Sequence, residues 1–222
     1  MILYISLALS AVSGIAGSVY LRAYLKQKEE KYTRTQAAVY IAITAVLFCA
    51  MGLMPLFLPE DDMTYYEMIR AQTAVLGLYF PAIIDWKYKV IPNKYLLVLL
   101  GVTLLELSIE ALWSSSTVGL TLFNSLLGSG ICGTMFLITN LVSHNSLGMG
   151  DVKLMYVLGL LTGLDDALGG LFWALLFSLV TGVVLMIAKK AKLKSKIPMC
   201  PFFFFGFLTS NIVYIITGMV GG

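Results

Sequence analysis

The chain has 222 residues, 59% of them hydrophobic and only 12% charged, with a formal net charge of +3 and a mean hydropathy of +0.89. Such a composition excludes a soluble globular domain and describes a polytopic membrane protein. The longest hydrophilic stretches, residues 22–34 and 189–196, are too short for a separate aqueous domain, so residues 1–222 are expected to form a single transmembrane domain.

About 20 apolar residues cross the bilayer core as a helix. Eight segments reach or approach that length: residues 2–21, 35–58, 68–84, 95–113, 118–142, 152–164, 167–188 and 199–220. The expected architecture is an all-α, polytopic transmembrane helical bundle of about eight spans. The first segment has no basic residue ahead of it and positive charge directly after it, which fits a retained span better than a cleaved signal peptide. The third ends at Asp85, and the following Val90-Ile91-Pro92-Asn93 breaks the helix and turns the chain into the fourth. Glu106 and Glu110 share a face of the fourth near its end, either lining a polar cavity or, as their position favours, lying at the interface.

The fifth segment runs into Ser143-His144-Asn145-Ser146. His144 is the only histidine and has no cysteine or carboxylate at ligand spacing; the three cysteines, Cys49, Cys132 and Cys200, stand singly in apolar sequence. No metal and no cofactor is expected. The sixth segment is short, which suits a tilted or buried helix. The lysine-rich run 189–196 reads as a topology anchor on anionic lipid rather than a nucleic-acid site. After it, Pro198, Pro201 and Gly206 flank four phenylalanines, residues 202–205, at a bent and closely packed entrance to the last segment.

Alternating the connections between two sides places every lysine and arginine except Arg70 on one face, which the positive-inside rule makes cytoplasmic, with both termini outside. Most acids fall on the other face. Four remain on the basic side: Glu29 and Glu30, in a lysine-bearing solvated linker, and the pair Asp85 and Asp151. An ionisable group at the mouth of an apolar stretch is costly unless it does chemistry. Two aspartates at one membrane face suggest acid-base catalysis, one holding a proton while the other activates water for attack on a peptide carbonyl. Plainer roles stay open: Asp151 as a helix cap, Asp85 as an ion-pair partner of Lys87 or Lys89. Gly148 and Gly150 remove bulk before Asp151, permitting positive φ and close approach of a substrate backbone. Lys153 either stabilises the ionised member of the pair or snorkels to the headgroups.

The order Asp85, Ile91-Pro92-Asn93, Gly148-Met149-Gly150-Asp151-Val152-Lys153-Leu154 and the segment 198–206 resembles the type IV prepilin peptidase family of membrane aspartyl proteases, over residues 84–208. The resemblance implies that Asp85 and Asp151 are the catalytic pair, with Gly148, Gly150 and Lys153 in support. It also implies a prepilin or pilin-like precursor as partner, its short basic leader cut on the cytoplasmic side of the plasma membrane. Many bacterial members carry two C-x-x-C pairs in a cytoplasmic insert and methylate the product. The corresponding loop here, residues 22–34, has no cysteine, so the chain resembles the short, peptidase-only forms. Two alternatives stand beside this one. A presenilin-type intramembrane protease adds a Pro-Ala-Leu element near the C-terminus, which is absent. A small proton- or cation-coupled transporter often shows self-similar halves, which this chain lacks.

Overall fold

The structure, a computed structural model, describes residues 23–24, 42–43, 46, 62–113, 118–143, 147–188 and 198–221. Among these residues every element is helical and there is no strand: α1 (Asp62–Tyr88), α2 (Asn93–Trp113), α3 (Val118–Val142), α4 (Met149–Ile187) and α5 (Cys200–Gly221). The four helices α2 to α5 are long and apolar enough to cross a membrane. Their outward faces carry large apolar side chains such as Leu97, Leu112, Phe123 and Ile187, as a lipid-facing surface requires.

Helix α1 occupies the interior, with residues 71–82 buried without interruption. Pro81 has no N–H to give the carbonyl of Gly77, and the Tyr95 hydroxyl of α2 donates to that oxygen instead, at 2.8 Å. The missing side chain at Gly77 is what admits Leu99 of α2, since a Cβ there would stand 2.7 Å from Leu99 Cδ1. The two helices run antiparallel: Tyr95 meets Gly77, whereas Glu106 accepts from Thr73 Oγ1 at 2.6 Å.

Helix α4 is broken at Gly163, whose φ of 81° and ψ of −178° suit glycine alone. Asn124 Oδ1 of α3 accepts the N–H of Leu164 at 3.0 Å, which satisfies backbone freed by the break. The limb before Gly163 packs on α3, where Gly128 and Gly159 bring backbone against backbone. The limb after it packs on α5, through Gly170 against Phe207 and Ala174 against Gly206. In one straight helix Asp151 and Ser178 would stand about 40 Å apart. Both instead lie at the start of α5, Asp151 interacting with Cys200 and Ser178 Oγ reaching Met199 Sδ at 3.8 Å. The chain therefore doubles back at Gly163.

The described residues do not support eight separate spans. The expected segments 152–164 and 167–188 are the two limbs of one helical element, because the turn between them is a single glycine rather than a loop. Segment 68–84 lies within α1, which also carries Glu67 and Arg70 and is not among the four spanning helices. Segment 2–21 and all but three residues of 35–58 lie outside the described residues, as do Cys49, His144 and the lysine run 189–196. The placement of both termini outside depended on an even count of eight and loses its support with it. Cys132 and Cys200 are buried core residues.

Candidate active site

Helix α1 ends one turn beyond Asp85. Lys89 takes the left-handed conformation, φ 54°, and its N–H donates to the Asp85 carbonyl at 2.8 Å, closing the helix. Ile91 turns inward, and the Pro92 carbonyl accepts the N–H of Tyr95 and of Leu96 to start α2. Asp85 is left in the last turn of α1 with only 6% of its surface exposed.

The partner of its carboxylate is the start of α5. Asp85 Oδ2 accepts the Cys200 N–H at 3.0 Å, and the Met199 amide beside it also favours the charged form. The first N–H groups of a helix have no intrahelical acceptor and form the positive end of its dipole, so a carboxylate there is stabilised. Pro201, in the same first turn, has no N–H to satisfy. Burial pushes the Asp85 carboxyl above its ordinary range, and the Cys200 and Met199 N–H groups, with Lys89, act against that rise.

Asp151 belongs to the first turn of α4. Its N–H donates to the Gly148 carbonyl at 3.0 Å, and its carboxylate folds back beside the Gly148 amide, which favours its charged form. Gly148 has φ −70° and ψ 134°, so neither glycine of the motif is there for a positive φ. Each instead leaves room. A Cβ on Gly148 would stand 2.9 Å from Asp151 Oδ2, and one on Gly150 would stand 3.0 Å from Ile91 Cβ. The first glycine clears space for the Asp151 carboxylate, and the second lets α4 close on the turn after Asp85. Asp151 Oδ1 is buried and has no hydrogen-bond partner among the described residues, a costly condition for an acceptor unless something else occupies it.

The two carboxylates are close enough to interact electrostatically, and both interact with Cys200. Residues 85 and 151, far apart along the chain, thus lie near each other at one end of the bundle. Lys153 is exposed and donates to Asn93 Oδ1 at 3.1 Å, tying α4 to the first residue of α2 beside the pair. Asn140 Nδ2 at the end of α3 lies 3.2 Å from Met149 Sδ and holds the start of α4 from the other side. Among the described residues no group of three or more histidine, cysteine or acidic side chains is placed to hold a metal ion.

A second polar cluster lies at the opposite end. Arg70 Nε and Glu110 Oε2 form a buried ion pair at 3.6 Å, Thr121 donates to Glu110 at 2.9 Å and Arg70 Nη1 to Ser125 at 3.4 Å. Glu106 and Glu110 are both buried among the helices. Fifteen residues of helix separate Arg70 from Asp85, about 22 Å.

The backbone amides of Met199 and Cys200 were not foreseen in the sequence. Amides have no letter, and the only signal was two prolines marking a helix start on the same side as the aspartates.

The family model of the type IV leader peptidase family matches residues 73–222, which include both aspartates, both glycines and all of α2 to α5. No curated protein and no solved structure matches the chain.

Proposed function

The chain belongs to the type IV leader peptidase family, and on that premise we propose that it is an aspartic endopeptidase cutting the short basic leader from prepilins or pilin-like precursors. The observation that carries this reading is the meeting of Asp85 and Asp151, both largely buried, at one end of an apolar bundle. Two neighbouring carboxyls do not both ionise easily, so one keeps a proton and the other is free to deprotonate water. The protonated carboxyl then hydrogen-bonds the oxygen of the scissile carbonyl as charge develops on it. Side chains supply all of this chemistry, and no cofactor takes part.

Lys87, Lys89, Lys94 and Lys153 cluster around the same end of the helices. Their sign supports a cytoplasmic site in the plasma membrane by the positive-inside rule. A precursor would keep its apolar helix in the lipid beside the bundle and lay its extended leader across the aspartates, so binding of the helix orients the cut. The partners are the precursor and membrane lipid, with no nucleic acid, and the single membrane domain contains the whole site. Co-expression with pilin-like precursors tests the reading through leader loss in wild type, Asp85→Asn and Asp151→Asn. Processing well below the wild-type level in both variants, with normal membrane insertion, is the expected result. Processing at the wild-type level in either variant removes that residue from the chemistry.

A further inference from the structure

We propose that the N–H groups at the start of α5 make Asp85 the ionised member of the pair and leave Asp151 to carry the proton. This assignment rests on the aspartic peptidase reading and deepens it by giving the two residues different roles, with Cys200 as a positioning residue acting through its backbone.

The hydrogen bonds of the two carboxyls are unequal. Asp85 accepts the Cys200 N–H at 3.0 Å at the positive end of a helix dipole, where the Met199 amide and Lys89 also favour its charged form. Asp151 has only the Gly148 amide near its carboxylate, and its Oδ1 has no donor among the described residues. Of the other polar groups packed against the pair, the Cys200 thiol is buried, and Lys153 is engaged by Asn93. A carboxylate already surrounded by donors gains by staying ionised. A proton on Asp151 Oδ1, by contrast, turns an unused buried acceptor into a donor.

The resulting reaction balances. Asp85 takes a proton from water as the water oxygen bonds to the scissile carbonyl carbon, and Asp151 gives its proton to the carbonyl oxygen. The product is a neutral gem-diol. Asp85 then passes its proton to the amide nitrogen while Asp151 takes one hydroxyl proton back. The C–N bond breaks, acid and amine leave, and the pair returns to its starting state.

Cleavage of a synthetic precursor by the purified full-length chain is followed against pH in wild type, Asp85→Asn, Asp151→Asn and Cys200→Pro, with thermal unfolding alongside. A carboxamide at position 151 still donates to the carbonyl oxygen, whereas one at position 85 cannot take a proton from water. Asp151→Asn is therefore expected to keep at least about tenfold more activity than Asp85→Asn. Proline is accepted at a first helical position but removes the Cys200 N–H, so the acidic limb of the Cys200→Pro profile is expected to move to higher pH. Equal loss in the two Asn variants, or the reverse order, overturns the assignment, and so does an unmoved acidic limb in a folded Cys200→Pro. If Cys200→Pro does not fold, the order of the Asn variants decides alone. If both Asn variants cleave like wild type, the peptidase reading itself has failed.

Discussion

Substituting Gly148 by alanine separates the space the motif provides from the backbone freedom a glycine offers. Any residue adopts φ −70° and ψ 134°, so Gly148→Ala carries no conformational penalty and its effect is steric. The new Cβ would stand 2.9 Å from Asp151 Oδ2, whereas ordinary contact begins near 3.4 Å. The carboxylate must retreat by about half an ångström, away from the Gly148 N–H. Since about 1 Å of misplacement can cost a hundredfold in rate, this shift should lower kcat about tenfold. Gly148 is exposed, so stability should change by less than about 1 kcal/mol. The comparison is Gly130→Ala in α3, where a Cβ meets nothing within 4 Å. That variant should cleave normally and gain up to about 1 kcal/mol from improved helix propensity. Precursor cleavage and thermal unfolding in detergent read both variants. Normal cleavage by Gly148→Ala, or equal loss in both, would refute the steric role of the first glycine.

Further outcomes follow from the packing. Gly128→Ala places a Cβ 2.5 Å from the Gly159 carbonyl oxygen, and backbone cannot yield as a side chain can. Unfolding of that variant should show a loss of about 1–3 kcal/mol. Arg70→Met leaves Glu110 buried without its counter-charge and should cost about 3–5 kcal/mol, and adding Glu110→Gln should recover part of it. Lys153→Gln breaks only an exposed bond to Asn93, so it should cost less than about 1 kcal/mol and leave the shape of the pH profile alone. A changed profile would instead mean that Lys153 acts on Asp151. In the wild type, cleavage should fall at low pH as Asp85 is protonated, and at higher pH than for a free aspartate, because burial raises its carboxyl.

Both aspartates were legible before any coordinates, because charge asymmetry left them as the two unexplained acids on a basic face. Their convergence was not, since nothing local in either segment refers to the other. The glycines of the motif were legible as clearance before Asp151, but not as positions of positive φ. Among the described glycines positive φ belongs to Gly163, inside the expected segment 152–164, where nothing in the sequence marked a break, while Gly148 and Gly150 serve clearance. The interior position of α1 was hidden because a fully buried helix and a lipid-facing helix are both apolar all round. Glu106 and Glu110 were visible as one helix face, but their partners, Thr73, Arg70 and Thr121, sit on other helices and left no mark on the local sequence. Hydropathy locates apolar stretches well, but it carries no information on which helices touch.

The most direct test of the paired carboxylates is cross-linking between introduced cysteines in a chain whose Cys49, Cys132 and Cys200 are replaced by alanine. Asp85→Cys with Asp151→Cys should be joined by a short bifunctional thiol reagent, whereas Asp85→Cys with Asp166→Cys, at the far end of the bundle, should not. Linkage of the second pair in place of the first would contradict the shared site on which the proposed chemistry depends.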